Sequence, residues 1–252
     1  MKTRGLLIRV GVDTSDIGGN WNAPCLKNGR FCYVPIPAGK GSKKGSSFDH
    51  SYDEFSPFVT AMGVEWPEKL SGLCHLDPDF SHLTYGDSTK RKLRISRVLR
   101  PGDFIVFWSG LRLHGTRNDE LICSIVGFFR VAYIINAHQV GLLDSHRNAH
   151  TRYEPSTTNP EVVVFGNPGE SGRLKKHIRI GKSDLRGDWK LPQQCVDKDL
   201  LAEWGGLQNE DGSDLKHGYI QKSINPPLFA NGNKFLRWFM RKQPKLVHAN
   251  NV

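Results

Sequence analysis

Hydrophobic runs bounded by glycine, proline and polar turns recur along the 252-residue chain and predict a series of mostly short strands. The clearest run is FIVFW at residues 104–108, which follows the turn RPGD. A longer run of β-branched and aromatic residues, 121–135, predicts a second strand with a kink at Gly127. We expect these two strands to pair as a hairpin with a wide loop.

Other segments complete a mixed pattern of strands and helices. Further strands are predicted at residues 5–13, 31–37 and 161–166. Helices are predicted at residues 51–63, 138–148 and 233–242, the last being basic and amphipathic. The pattern favours an α+β fold with a strongly bent mixed sheet flanked by helices, and it leaves open whether the sheet closes into a PUA-like barrel. We find no repeat and no long linker, so residues 1–252 are predicted to form a single domain.

The charge of the chain indicates a class of partner, because the formal net charge is +10. A positive field of this size attracts polyanions, and DNA or nucleotides are the expected partners. A basic surface that only maintains solubility is the alternative. The loop 38–50 is rich in glycine, serine and lysine, and we predict it to be mobile. Its lysines either contact phosphates or are simply solvated: Lys40, Lys43 and Lys44.

Cysteine usage and hydropathy narrow the class of protein. The five cysteines include no Cys-x-x-Cys pair, which argues against a disulfide framework and against a cysteine-based zinc site. The first residues, MKTRGLLIRVGVD, do not have the apolar core of a signal peptide. No stretch approaches the about 18 apolar residues of a membrane span. We therefore expect a cytoplasmic protein that does not interact with membranes.

Carboxylates at strand ends and in turns are the first candidates for chemistry. Asp13, Asp77 and Asp87 occupy such positions, and Asp77 and Asp79 flank Pro78. Two carboxylates brought together can hold a divalent cation or separate their pKa values for acid–base work. The alternative is ordinary turn chemistry, since Asp beside Pro is common in turns. His75 lies close to the pair.

The segment 148–152 carries an amide, an imidazole and a guanidinium. If it is extended, Asn148, His150 and Arg152 project from one face and can bind a base edge and a phosphate, or handle a proton. If it is helical, His146 and His150 lie one turn apart as a metal pair. This pair alone is too little to assign a metal, so we predict no metal site and leave the cofactor unknown.

Two further features suggest substrate binding. Trp108 stands at a strand end, where it could stack on a base or simply fill the edge of the core. The segment GNPGESGRLKKHI, residues 166–178, predicts a turn followed by a helix, with Ser171 as the cap. Free amides at that helix start, together with Arg173, would favour a phosphate, and an ordinary glycine-rich turn is the alternative.

The order of the motifs resembles that of a known family. The motifs are RVGVDTSDIGG, PIP, HLDPDFSHLTYGD, LRPGDFIVFWSGL, IVGFFRV, NAH and VVVFGNPGESGRLKK, spread over roughly residues 6–240. Together they resemble the nucleotide-modification-associated domain family, third type, and this implies a role in modifying bases in DNA. The stretch PGDFIVFW…IVGFFRV also looks like the small barrels of PUA-type and EVE-type domains, which hold modified bases against aromatic side chains. Neither resemblance brings catalytic residues with it.

These features lead to three hypotheses. The first is an enzyme of DNA base modification whose polar segments converge on one cleft beside Trp108. Its catalytic residues would be Asp13, Asp77, Asp87 and His150. The second is a PUA/EVE-like reader that binds a modified base without catalysis, and the third is a basic RNA-binding protein with a flat surface. Convergence of the acids and His150 on one pocket favours the enzyme.

Overall fold

The structure, a computed structural model, describes residues 3–12, 21–38, 50–88, 90–115, 120–152, 157–184, 193–215, 218–220 and 225–252. The strands in chain order are β1 (Gly5–Arg9), β2 (Pro24–Cys25), β3 (Ile36–Pro37), β4 (His50–Ser51), β5 (Leu73–His75), β6 (Thr84–Asp87), β7 (Phe104–Leu113), β8 (Leu121–Asn136), β9 (Val162–Gly166), β10 (Gly172–Asp184), β11 (Gln193–Val196), β12 (Leu207–Gln208), β13 (Leu228–Phe229) and β14 (Leu246–Val247). The α-helices are α1 (Ser56–Thr60), α2 (Lys90–Val98), α3 (Lys198–Trp204) and α4 (Gly232–Arg241). Short 3-10 helices cover Tyr52–Glu54, Ala137–Gln139 and Leu142–Arg147.

The hairpin of β7 and β8 is the centre of the fold, which confirms the prediction from the two apolar runs. The strands pair antiparallel, with Phe104 opposite Arg130 at one end and Arg112 opposite Leu121 at the other. An irregularity in the register falls at Phe107 and Trp108, opposite Gly127. Both faces of β7 are buried over its first eight residues, as its continuous apolar run requires.

This hairpin is the centre of a large mixed sheet, and the sheet together with the helices makes the fold α+β. Its strand order is β11-β10-β8-β7-β1-β13-β12, with β1 parallel to β7 and the other neighbours antiparallel. The last six residues of β8 extend past this region and pair with β9, which in turn pairs with β6. The outermost strands β11 and β12 do not pair with each other, so the described strands form no closed barrel.

A second sheet of three short strands, in the order β3-β5-β4, brings the middle of the chain beside the large sheet. The loop that follows β5 contains Phe80, which is fully buried. Its ring packs edge-on against Phe107 and Phe129 of the central hairpin. This aromatic contact fixes the segment 75–82 against the large sheet.

Several local predictions are corrected by the pairing of strands. Residues 166–178 do not form a turn and helix, because β10 pairs with β8 along one side and with β14 along the other. Residues 31–37 form only the short β3, and the first strand ends at Arg9.

The helices follow the sequence pattern more closely. Residues 51–63 fold into a 3-10 turn and α1, and residues 138–148 form 3-10 turns. The amphipathic helix is confirmed as α4, which buries Phe235, Trp238 and Phe239. The basic segment before β7 forms α2, which the sequence pattern did not predict. Among the described residues, no helix has the length and apolar character needed to cross a membrane.

Candidate functional site

Three segments far apart in sequence bring His75, Asp77 and His150 together. His75 is the last residue of β5, and Asp77 follows it in the loop beside the large sheet. His150 follows the 3-10 helix Leu142–Arg147. One nitrogen or oxygen atom from each side chain lies within 4.8 Å of the other two. We call these three residues the polar centre.

Among the described residues, hydrogen bonds hold Asp77 through one of its carboxylate oxygens. Oδ1 accepts hydrogen bonds from the backbone N–H of Gly86, at 2.8 Å, and from Nδ2 of Asn148, at 3.0 Å. Oδ2 lies 3.7 Å from Nε2 of His150, which is longer than a hydrogen bond. The side chain is 6% exposed. One oxygen is therefore fixed, and the other is directed toward the imidazole.

His150 is oriented by a second carboxylate. Its Nδ1 lies 2.5 Å from Oε2 of Glu161, the residue directly before β9. Its backbone N–H donates to Oδ1 of Asn148 at 2.9 Å. Because Oε2 of Glu161 accepts a hydrogen bond from Nδ1–H, a neutral imidazole carries its lone pair on Nε2, the atom that faces Asp77.

His75 completes the polar centre with a second imidazole. Its ring stands edge-on to that of His150, with ring centres 4.9 Å apart and planes at 89°. Burial, aided by the positive charges of His150 and Arg152, lowers the pKa of His75 to about 3. His75 is therefore a neutral imidazole at physiological pH.

Asp77 and His150 are coupled through their charges. Burial raises the pKa of Asp77 to about 7, although the neighbouring His150 opposes the increase. Burial also lowers the pKa of His150, but the hydrogen bond to Glu161 and the charge of Asp77 outweigh it, so the net change is upward. Groups arranged in this way can exchange a proton or coordinate a divalent ion.

Gly86 in β6 leaves the room that His150 occupies. A Cβ at this position would lie 2.3 Å from Cδ2 of His150 and 2.7 Å from Oδ1 of Asn148. Neither distance is tolerated, so the close approach of the imidazole to the strand requires glycine. The sequence TYGD thus contributes a backbone donor to Asp77 and a gap for His150.

Comparison with family models identifies the chain. The model of nucleotide modification associated domain 3 matches residues 4–214. The chain belongs to this family. Comparisons with curated proteins and with solved structures find no match. The matched range contains the polar centre and Glu161, so the nucleotide modification associated domain includes the whole site described above.

A second carboxylate of the domain, Asp79, has a different environment. It is fully buried and accepts from the backbone N–H of Ser81, at 3.0 Å, from Nδ2 of Asn250, at 3.1 Å, and from Arg152, at 3.3 Å. Nδ1 of His82 lies 2.9 Å from its Oδ2. Burial raises the pKa of Asp79, but His82, Asn250 and Arg152 outweigh it and hold the pKa below its usual value. Arg152, predicted to bind substrate, is therefore an ion-pair partner of Asp79.

Asp87, predicted to be catalytic, lies in an ion pair outside the polar centre. Its carboxylate accepts from the Tyr85 hydroxyl at 3.1 Å and forms an ion pair with Nε of Arg91 at 2.8 Å. Since Arg91 belongs to α2, the pair joins that helix to β6. Asp87 is not a member of the polar centre. Asn148 does belong to the site, but as the residue that positions Asp77 and His150.

Three residues predicted to bind substrate lie in the core of the domain. Trp108 is fully buried in β7 and presents no exposed ring face to a base. The Ser171 hydroxyl contacts the backbone of Arg130 across the sheet, at 3.1 Å from its nitrogen, and caps no helix. Arg173 is fully buried, donates to the carbonyl oxygen of Phe31 at 2.6 Å and lies 3.8 Å from the centre of the Phe31 ring. These side chains stabilise the fold.

Asp13 and the loop lysines lie outside the described residues: Lys40, Lys43 and Lys44. His75 and Glu161 were not among the predicted site residues. The spacing of His75 two positions before Asp77 was a usable signal, whereas Glu161 appeared only as the start of a strand.

A cavity of about 440 Å³ lies elsewhere in the domain. Trp21 and Trp66 line it, with ring centres 6.1 Å apart, and so does Asn22. Among the described residues, Nε1 of Trp21 and Oδ1 of Asn22 are buried and have no hydrogen-bond partner. None of the residues of the polar centre lines this cavity. The cavity offers aromatic surface to a ligand.

Proposed function

We propose that the protein is an enzyme that modifies a base of DNA or of a nucleotide, with its reaction at the polar centre. Membership of the nucleotide modification associated domain 3 family supports the process. The observation that carries the proposal is the convergence of His75, Asp77 and His150 on one point. The sequence analysis set the convergence of Asp13, Asp77, Asp87 and His150 on one pocket as the feature that separates an enzyme from a reader, and of these four Asp77 and His150 lie together.

The hydrogen bonds of the polar centre support a chemical role over a structural one. In the neighbouring Asp79 network, both carboxylate oxygens accept from close donors. In the polar centre, Oδ2 of Asp77 and Nε2 of His150 are 3.7 Å apart, too far for a hydrogen bond. Hydrogen bonds hold Asp77 at Oδ1 and His150 at Nδ1. Rigid groups with unused polar atoms are typical of sites that act on a substrate.

The charge of the chain supports a polyanionic substrate. The formal net charge of +10 would raise the encounter rate with DNA whatever its sequence. The polar centre would then select and modify the base, which in a duplex must leave the stack to reach it. In this proposal, the basic surface provides the affinity for DNA and the polar centre carries out the reaction.

The test is mass spectrometry of nucleosides from cells that carry the gene, compared with cells that lack it. We expect a modified nucleoside only in the first. Replacement of His150 by Ala should abolish it, because the imidazole is the group shared by Glu161 and Asp77.

His138→Ala is the matched control, since His138 is exposed and outside the centre. It should leave the modification unchanged. Full modification in the His150→Ala strain, with the protein folded, would contradict the proposal.

A non-catalytic reader of a modified base is the second candidate function, and the tryptophan-lined cavity favours it. Its volume of about 440 Å³ and the rings of Trp21 and Trp66 suit a planar heterocycle. If the protein is a reader, Trp66→Ala should lose base-specific binding and His150→Ala should keep it. If it is an enzyme, cells with His150→Ala should contain no modified nucleoside.

A further inference from the structure

We infer that His75, Asp77 and His150 bind a single divalent transition-metal ion and leave part of its coordination sphere open. The inference deepens the proposed function and rests on it for the role of the ion in the reaction. The binding itself depends only on the geometry of the three side chains.

The ligand set has a recognisable chemistry. Two imidazoles and one carboxylate hold iron(II) in oxygenases that keep open positions, and similar sets hold catalytic zinc. Magnesium and calcium are disfavoured because they prefer oxygen ligands. Three protein ligands leave at least one position for water or substrate, whereas closed structural sites use four.

The distances allow an ion with small movements of the side chains. Metal–ligand bonds of about 2.1 Å place neighbouring ligand atoms roughly 3.0–3.4 Å apart. Oδ2 of Asp77 and Nε2 of His150 are 3.7 Å apart, and all three ligand atoms lie within 4.8 Å of one another. Rotation about side-chain bonds closes this difference without moving the strands.

The hydrogen bonds around the ligands are those a metal site requires. A metal-bound histidine usually donates its second ring N–H to a carboxylate, and His150 has Glu161 at 2.5 Å from Nδ1. A metal-bound carboxylate is usually held through hydrogen bonds, and Asp77 accepts two at Oδ1. These hydrogen bonds hold Asp77 at Oδ1 and His150 at Nδ1, so Oδ2 of Asp77 and Nε2 of His150 are left to bind the ion.

His75 provides an independent observation. Its imidazole forms no hydrogen bond within the part of the chain that the structure describes, although it is packed against His150 and partly buried. An imidazole that makes no hydrogen bond to the described residues keeps a ring nitrogen for a ligand, and this one lies within 4.8 Å of the ligand atoms of Asp77 and His150. Coordination of an ion would use that nitrogen.

The experiment uses the purified full chain, stripped of metal by a chelator and titrated with Co²⁺, with Zn²⁺ and, without oxygen, with Fe²⁺. Calorimetry gives affinity and stoichiometry, and the visible absorption of bound Co²⁺ reports the coordination number. We expect one ion per chain and a cobalt spectrum that changes when the ligands change.

The variants separate ligands from their supports. Asp77→Asn keeps the shape and the acceptor Oδ1 but removes the anionic ligand, so affinity should fall by more than about 100-fold, as should that of His75→Gln. Glu161→Gln keeps all three ligands and should weaken binding by about 10- to 100-fold. His146→Ala is the matched control, because His146 and His82 form a similar edge-on ring pair, 5.2 Å apart, outside the polar centre. It should bind like the wild type.

The outcomes are distinct for the two proposals. A folded wild type that binds none of the three ions, or binding that Asp77→Asn and His75→Gln do not change, overturns the metal site. If the wild type binds none of the three ions while the cells still contain the modified nucleoside, the metal site is wrong and the proposed function stands. If the ion binds as expected but the cells contain no modified nucleoside, the metal site stands and the proposed function fails.

Discussion

At the scale of single residues, the tightest steric constraint in the polar centre falls on a residue without a side chain. Gly86 donates its backbone N–H to Asp77 and lies directly against the ring of His150. Gly86 therefore determines the positions of both the Asp77 carboxylate and the His150 imidazole. A substitution here tests the geometry of the centre without removing any functional group.

We predict that Gly86→Ala disrupts the polar centre more than it disrupts the fold. The new Cβ would lie 2.3 Å from Cδ2 of His150, so the ring must move away from Asp77. Overpacking of this kind costs about 1–3 kcal/mol of stability. Binding of Co²⁺ and nucleoside modification should both be lost, as measured by titration and mass spectrometry.

Gly169→Ala is the control for this prediction, because a Cβ there meets no atom closer than 3.5 Å. It should leave binding and modification unchanged. A Gly86→Ala protein that behaves like the wild type would show that the ring position is not critical.

His177, away from the centre, gives a prediction about pH. Its Nδ1 contacts the Ser124 hydroxyl at 3.0 Å, and burial, aided by the charge of Arg179, lowers the pKa of His177 from 6.5 to about 4. The unfolded chain therefore takes up a proton below about pH 6.5, while the folded protein takes it up only near pH 4. Stability contributed by the neutral ring is present above pH 6.5 and is lost as the pH falls toward 4.

The measurement is urea unfolding of the wild type and His177→Gln at several pH values. Relative to the variant, the wild type should lose up to about 1.4 kcal/mol of unfolding free energy per pH unit across this range. His138→Gln, at an exposed position, should show no such trend. A constant difference between wild type and His177→Gln would refute the prediction.

The sequence predicted about half of the residues of the candidate site, namely those that stand out within their own segment. Asp77, Asn148 and His150 are polar residues in turn-rich segments, and such residues can be singled out one segment at a time. Glu161 could not be found, because its contact with His150 depends on how β9 joins the large sheet. The sequence left open whether Trp108 binds a base or fills the core, because an aromatic residue that ends an apolar run fits both, and the structure places it in the core.

At the scale of elements, short helices depend on their ends and on what they bury. α4 begins after Asn231, whose Oδ1 accepts the backbone N–H of Lys234 at 3.0 Å. Its buried face packs Phe235 and Trp238 against Trp204 of α3. The cap and the aromatic contact together hold a helix of ten residues that would be marginal alone.

We predict that Asn231→Ala lowers the free energy of unfolding by about 1 kcal/mol, because the N–H of Lys234 loses its partner. Urea denaturation measures the change. Asn231→Asp, which keeps a capping oxygen, should retain most of the stability. Equal losses in the two variants would mean that the cap is not the source of the effect.

The same scale explains where strand prediction worked. β7 and β8 were predictable because long β-branched and aromatic runs seldom suit another structure. β10 was not, because Gly172, Arg173 and the lysines after them carry no strand pattern. That segment is extended because β8 and β14 offer it hydrogen-bond partners on both sides. Pairing across the sheet overrode the local preference.

At the scale of the whole molecule, the chain combines an excess of positive charge with a small, nearly buried polar centre. The side chains of Asp77 and His150 are only 6% and 10% exposed, so they can contribute little to long-range attraction. Affinity for a polyanion must come from the surface instead. The two properties should therefore respond to different substitutions.

We predict that affinity for a short labelled DNA duplex, measured by fluorescence anisotropy, falls linearly with salt on logarithmic axes. Each contacted phosphate releases counterions and contributes about 0.9 to the slope. Replacing the loop lysines together by Gln should lower the slope by up to about 0.9 for each residue that contacts a phosphate: Lys40, Lys43 and Lys44. His150→Ala should leave both affinity and slope nearly unchanged, since an almost buried imidazole neutralises no phosphate. Affinity that does not depend on salt, or the absence of binding at low salt, would exclude DNA as the partner of this surface.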